Sequence, residues 1–193
     1  NGYNILTAYG VSILLGREPM EVLTALSNIN PIHGRFEYVI SPDQVTAIVD
    51  FAHTPDALVN VLKTIDEIRT NNEEVITVGG CGGNRDTTKR PEMAKIACKW
   101  SNRVILTSDN PRFEDPQAII DDMMKGVEPQ NYKKVNSIVS RSEAIKMACS
   151  IASAGDIILI AGKGHETYQE VNGEKKHFDD MEEVNKSFKM LRE

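Results

Sequence analysis

Long apolar runs are missing from this sequence of 193 residues: no stretch approaches the roughly 20 consecutive apolar positions that a membrane-spanning helix needs. No signal-peptide pattern is visible either, so no membrane partner is expected. Positive charge is not in excess. Lys and Arg number 22 against 28 Asp and Glu, a formal net charge of −6, which removes any general electrostatic pull toward nucleic acid or an anionic lipid surface. Local basic residues remain available for a small anion. Cysteine is scarce: Cys81, Cys98 and Cys149 show no C-x-x-C spacing, which argues against a zinc site or a redox motif. No other metal-ligand spacing and no Ser/His/Asp arrangement stands out, so neither a metal site nor a catalytic residue is assigned. The odd, sparse thiol count fits a reducing cytosol, and a cytoplasmic location is expected. Internal repeats and low-complexity segments are lacking. So is an initiating Met, and Asn1-Gly2-Tyr3-Asn4 reads as an internal cut in a longer chain.

What is there is ordinary for a globular protein, 40% apolar and 26% charged, with length for one domain of sizeable core plus a short appendage. Residues 4–15 carry Ile5, Leu6, Tyr9 and Ile13 at helical spacing and stop at Gly16, a suitable helix C-cap. Pro19 opens a second short helix over 20–26. Residues 31–34 (Pro-Ile-His-Gly) read as a hinge or linker. These first thirty-odd residues make a poor core by themselves, and their apolar faces need a docking surface. After Gly34 the pattern changes. Short β-branched runs predict strands over 45–49, 75–78, 104–107, 135–139 and 156–161. Between and after them, helices are expected over 55–68, 90–100, 116–125, 141–154 and about 181–191. A strand pair, 167–171 with 176–178, turns at Asn172-Gly173. Apolar strands alternating with helices predict an α/β fold with a mainly parallel, doubly wound sheet flanked by helices. The methionines read mostly as core, Asp121-Asp122 as a solvated helix face, and the acidic run 179–183 as favouring the dipole of the last helix.

In such sheets ligands bind beyond the carboxyl ends of the strands. Four unusual segments fall there: residues 50–56, 79–86, 108–112 and 162–166. Gly79-Gly80-Cys81-Gly82-Gly83-Asn84-Arg85-Asp86 is either a flexible glycine turn or a place where backbone approaches a ligand, and Arg85 adds a rigid donor fork for a carboxylate or phosphate. It is not a P-loop, since no Gly-Lys-Ser/Thr follows. Asp109-Asn110-Pro111-Arg112 is either an Asx/Pro turn or a clamp for a zwitterion, with Arg112 on a carboxylate and Asp109 facing an ammonium. Gly162-Lys163-Gly164-His165-Glu166 lacks the P-loop frame, and a turn that brings Glu166 to the site mouth is favoured. His165 is equally suited to a structural role. Asp50 and His53 sit where a strand ends before a helix. Asp50 suits ribose hydroxyls or a helix cap, although Thr54 is the better placed cap.

Taken in order, Gly34-Arg35-Phe36-Glu37, the run from Val49 to Leu58, Gly80 to Asp86, Asp109 to Arg112 and Gly162 to Glu166 resemble the C-terminal domain of the Mur ligases, the ATP-dependent amide-forming enzymes of peptidoglycan synthesis. The resemblance covers nearly the whole chain. It implies a Rossmann-like C-terminal amino-acid-binding domain over 33–193. It also implies that 1–32 is the helical tail and linker of a central domain that binds ATP and Mg2+. The P-loop, the metal ligands and the UDP-sugar region of the family do not occur in these residues, so this stretch alone is expected to be inactive and to bind neither ATP nor Mg2+. The D-N-P-R motif is similar to that of members adding meso-diaminopimelate to UDP-MurNAc-L-Ala-D-Glu, whereas lysine-adding relatives generally lack the arginine. By motif position the resemblance implies diaminopimelate contacts at Arg85, Asp109, Asn110, Pro111, Arg112, Gly162 and Glu166. It implies nucleotide or domain-interface roles for Arg35, Asp50 and His53. Two rivals stay open: a C-terminal domain serving another Mur step or folylpolyglutamate synthesis, and a non-catalytic amino-acid or nucleotide binding module.

Overall fold

Five strands rich in β-branched and aliphatic residues set the architecture, four followed directly by a helix or helical turn and the last by a hairpin and then a helix. The computed structural model describes residues 2–28, 33–70 and 72–191. The chain divides into two compact units, Asn1–Ile32 and His33–Glu193.

The first unit holds helices α1 (Gly2–Leu14) and α2 (Pro19–Ser27). Gly16, at φ 79°, ends the first helix in a Schellman arrangement: its N–H donates to Ile13 and that of Arg17 to Ser12. Pro19 fills the first position of α2, and the Glu18 carboxylate accepts from the Met20 and Glu21 N–H groups. Leu6, Leu14, Leu15 and Met20 are exposed. The expected linker residues Pro31 and Ile32 lie outside the described residues.

In the second unit the elements run β1 (Glu37–Ile40), β2 (Thr46–Asp50), α3 (Pro55–Ile68), β3 (Val75–Gly79), α4 (Lys89–Trp100), β4 (Arg103–Thr107), α5 (Pro116–Met124), a 3-10 turn (Pro129–Lys134), β5 (Val135–Ile138), α6 (Arg141–Ile151), β6 (Ile157–Ala161), β7 (Tyr168–Val171), β8 (Glu174–His177) and α7 (Asp180–Met190). The main sheet has the order β1-β2-β6-β3-β4-β5, and only the β1–β2 pair is antiparallel. Thus the doubly wound, mainly parallel sheet is the observed fold. Alternation of side chains assigns its two faces. Ile48, Val75, Val104, Leu106 and Leu159 pack under α3, α4 and α5, while Ala47, Val49, Ile76, Ile105, Ile158 and Ile160 pack under α6 and α7. Helix α3 shows how the pattern works. Leu58, Val61, Leu62 and Ile65 recur at helical spacing and are buried, Pro55 sits at the first position, and Thr54 caps the Ala57 N–H.

Several readings need correction. Strand β1 was not expected. The Asp122 carboxylate does not simply face water, because it accepts from Arg90, a guanidinium only 2% exposed. Asp180 does more than favour a dipole: it is fully buried and forms a two-pronged pair with buried Arg141, at 2.7 and 2.8 Å. Among the methionines Met93 and Met123 are core, but Met190 is exposed. The β7–β8 hairpin turns at Asn172-Gly173, both at positive φ, and forms its own two-stranded sheet. No helix among the described residues is long and apolar enough to cross a membrane.

Candidate functional site

The strand ends place four loops around one cleft of about 520 Å³. The loop after β2 contributes Phe51, His53 and Thr54; that after β3, Gly82, Arg85 and Asp86, with Lys89 from the start of α4. Asp109, Asn110 and Arg112 come from the loop after β4, and Gly162 and Glu166 from the loop after β6. Of the residues singled out in sequence, His53, Arg85, Asp109, Asn110, Arg112, Gly162 and Glu166 therefore line a common space. Pro111, Arg35 and Asp50 do not. Pro111 is buried, with its carbonyl against Gly83. Arg35 lies over the Phe51 ring, 4.9 Å from its centre. Asp50 is not a helix cap: its Oδ2 accepts the N–H of Phe36, a residue at φ 48°. Burial pushes the Asp50 carboxyl above its ordinary range, against the opposing pull of the Phe36 N–H and the Arg35 charge.

The glycine-rich loop is locked to its neighbour rather than flexible. The Gly83 N–H donates to the Asn110 carbonyl at 2.9 Å, and the Phe113 N–H donates to Asn84 Oδ1 at 3.1 Å. A Cβ on Gly80 would fall 2.0 Å from the Thr107 carbonyl oxygen, and one on Gly83 would fall 2.0 Å from that of Pro111. Here glycine is needed for close approach of two backbones. Glu114 ties the assembly to α4, accepting from the Asn84 N–H and from Arg90. Those donors, the Asn84 N–H first, hold the Glu114 carboxyl below its ordinary range.

Two guanidiniums (Arg85, Arg112), the Lys89 ammonium and three carboxylates (Asp86, Asp109, Glu166) face the cleft. Arg85 is exposed and makes no hydrogen bond or ion pair among the described residues. Arg112 sits at φ 52°. Its Nη1 donates to the Gly83 carbonyl at 2.9 Å and its Nε lies 3.7 Å from Glu170 Oε2. Its backbone is bridged to β7, by its own N–H to Glu170 and from the Asn172 N–H. Asp109 is only 7% exposed and its carboxylate has no hydrogen-bond donor among the described residues. Burial is the largest influence on it and raises its pKa. Arg141 and Lys163 pull the other way, and Glu166 and Asp180 add to the rise. Glu166 Oε2 accepts from Asn110 Nδ2 at 2.9 Å and from Lys163 Nζ at 3.3 Å. Gly162, at φ 122°, leaves room beside Asp109, whose Oδ2 would be 2.8 Å from an added Cβ. The rim is aromatic, with the Phe51 ring centre 4.4 Å from that of His53 and 5.0 Å from that of His165, the rings tilted by 51° and 48°. Sequence reasoning left out Lys163, which is fully buried, and Arg141 behind the site. Among the described residues no group of three or more His, Cys, Asp and Glu is arranged to hold a metal ion.

Residues 34–164 match the family model described as Mur ligase, glutamate ligase domain. The chain belongs to the Mur ligase family. It is 59% identical over 180 residues to a UDP-N-acetylmuramoyl-L-alanyl-D-glutamate–2,6-diaminopimelate ligase of Cytophaga hutchinsonii, covering 93% of this chain and 37% of that protein. A ligase of the same name from Bacteroides thetaiotaomicron is 56% identical over 188 residues, covering 97% and 39%. A solved structure of a protein so named superposes with a TM-score of 0.77 at 40% identity, over 98% of this chain and 38% of that one. This Mur ligase chain thus spans well under half the length of the relatives it matches.

Proposed function

We propose that the chain is the amino-acid-binding domain of a ligase that adds meso-diaminopimelate to UDP-MurNAc-L-Ala-D-Glu. The observation that carries the reading is the charge layout of the cleft: Arg85 and Arg112 beside the unpartnered Asp109 and a half-engaged Glu166. The distal end of diaminopimelate carries a carboxylate and an ammonium, and this layout matches both. Lysine has the ammonium alone, and would leave Arg85 without an anion and Arg112 with only Glu170. The names of the relatives support the same substrate.

In this reading Arg112 and Arg85 hold the distal carboxylate, while Asp109 and Glu166 hold the distal ammonium. Asn110 orients Glu166, and Gly162 provides the gap through which the ligand approaches Asp109. Pro111 shapes the loop without touching the ligand. Because the clamp grips the distal end, the other amino group is left to project toward the reacting carboxyl. That group must be neutral to attack, and fixing it near its electrophile removes part of the entropic barrier. ATP with Mg2+, bound mainly by the rest of such an enzyme, supplies the phosphoryl group that makes the carboxyl electrophilic. Arg35 and His53, both against the Phe51 ring, suit a nucleotide or domain contact. Asp50 suits it less, with one oxygen already engaged.

Phosphate release by the enzyme containing this chain tests the reading, with ATP, the UDP-linked dipeptide and either meso-diaminopimelate or L-lysine. Release with diaminopimelate and not lysine is expected. Arg112→Ala should raise the KM for diaminopimelate about 30- to 1,000-fold, as loss of a paired, desolvated charge costs about 2–4 kcal/mol, and should leave the KM for ATP unchanged. Equal turnover of lysine, or an unaltered KM, would remove the clamp.

A further inference from the structure

We propose that Lys163 is the positioning residue that sets how Asn110 and Glu166 face the cleft, and so gives the site its preference for a ligand carrying a distal ammonium. The inference rests on the reading of the cleft as a diaminopimelate site. It concerns a residue that does not line the cleft.

An ammonium has three N–H donors. That of Lys163 is fully buried and has three oxygen partners: Asn110 Oδ1 at 3.2 Å, Glu166 Oε2 at 3.3 Å, and the Tyr168 carbonyl. The Tyr168 ring lies 5.4 Å away on one side. No donor is left for a ligand, so Lys163 is not a phosphate-binding lysine. Its effect falls on its neighbours. A side-chain amide can sit in either of two orientations, related by a half-turn. Here Oδ1 of Asn110 receives two donors, Lys163 Nζ and the Glu170 N–H at 2.9 Å, and this directs Nδ2 to Glu166. The reversed orientation would set two donors against the Asn110 NH2 and an oxygen against the Glu166 carboxylate. Glu166 is held through Oε2 alone, and Oε1 makes no hydrogen bond among the described residues. One fixed, free carboxylate oxygen is thereby offered beside Asp109.

A purely structural lysine would affect all ligands alike, which gives the test. The ligase containing this chain is assayed with meso-diaminopimelate and with 2-aminopimelate, which keeps both carboxylates and lacks the distal amino group. The wild type should prefer diaminopimelate in kcat/KM. Lys163→Met should reduce that preference about tenfold, the worth of one hydrogen bond to a charged group, through the KM for diaminopimelate, with the KM for ATP unchanged. Lys163→Arg, which keeps the charge, should restore most of the preference. If the methionine variant does not fold, Lys163→Gln, with neutral donors, is read in the same way. A variant with the wild-type preference, or one impaired equally toward both compounds, overturns the proposal. A wild-type enzyme inactive with diaminopimelate overturns the underlying function instead.

Discussion

Substituting Gly83 by Ala separates two reasons for which a loop needs glycine. Gly83 is not at positive φ, so its backbone conformation is open to alanine. The obstacle is space: the added Cβ would sit 2.0 Å from the Pro111 carbonyl oxygen, where an ordinary contact begins at 3.4 Å. That oxygen belongs to backbone on a loop tied to β7, so the two loops must move apart. Two hydrogen bonds cross the gap, Gly83 N–H to the Asn110 carbonyl and Arg112 Nη1 to the Gly83 carbonyl, both 2.9 Å. Overpacking costs about 1–3 kcal/mol, and each weakened bond about 0.5–1.5. A loss of roughly 2–6 kcal/mol lowers the Tm of a domain this size by roughly 4–24 °C. Because Arg112 loses its anchor, affinity for diaminopimelate should fall as well. Gly155→Ala is the control. Gly155 is at φ 94° with nothing closer than 3.9 Å, so only backbone strain is added, roughly 1–2 kcal/mol, with ligand affinity untouched. Thermal unfolding and calorimetric titration of both variants read the two effects. Wild-type Tm and affinity for Gly83→Ala would refute the locked-loop argument.

Other perturbations probe the charges behind the cleft. Burial raises the pKa of Asp109, so protonation favours the folded state. That contribution is full below the ordinary carboxylate range and is lost as pH rises through the raised value. Asp109→Asn should therefore raise Tm at pH 7, the gain shrinking as pH falls, while calorimetry shows loss of diaminopimelate binding; a lower Tm at pH 7 would contradict this. Asp180→Ala strands the buried Arg141 and should cost about 3–5 kcal/mol in denaturant unfolding, and Asp180→Asn, which keeps an acceptor, should cost less. Burial pushes the Cys81 thiol up to about 11 and the Cys149 thiol up to about 12, so neither should react with a thiol reagent at pH 8 until denaturant is added.

The sheet was legible because its strands are short apolar runs bounded by turn residues, such as Val75–Gly79 and Ile157–Ala161, both covered on two faces. Strand β1 was not, because it is a four-residue edge. Glu37 and Val39 alternate with exposed Tyr38 and Ile40, so no continuous apolar run marks it. The cleft was legible for the same reason as the sheet: each loop that forms it follows a strong strand. The buried charges were not. Arg90, Arg141 and Lys163 look solvated in sequence, since burial of a charge depends on partners 24 to 53 residues away, or on a carbonyl that the fold brings near. A Lys between two glycines at a turn suggests exposure. Here Gly164, at φ 51°, instead lets the chain fold tightly against Phe51 and Gly34 while the lysine turns inward.

In the proposed function, the arrangement of these charges makes the site selective. Around Asp109 the fold gathers two buried cations, Arg141 and Lys163, together with the carboxylates of Asp180 and Glu166. Arg141 is matched by Asp180 and Lys163 by Glu166, each at hydrogen-bond distance. Asp109 is then the negative charge left over, without a donor of its own. An unpaired carboxylate in such a place is costly, and relaxation would relieve it if the loop could turn it to water. The bonds from Gly83 to Asn110, from Glu170 to Asn110 and from Gln169 to the Asp109 carbonyl prevent that turn. An incoming ammonium therefore meets a carboxylate that is already desolvated and already aimed. Its binding relieves an electrostatic cost set when the domain folds, and a neutral side chain of the same length cannot do so. The Arg112 clamp adds the demand for a carboxylate at the same end. A ligand without the ammonium leaves Asp109 without a counterpart, and one without the carboxylate leaves Arg112 with Glu170 alone; that penalty discriminates more strongly than any attraction special to the right ligand.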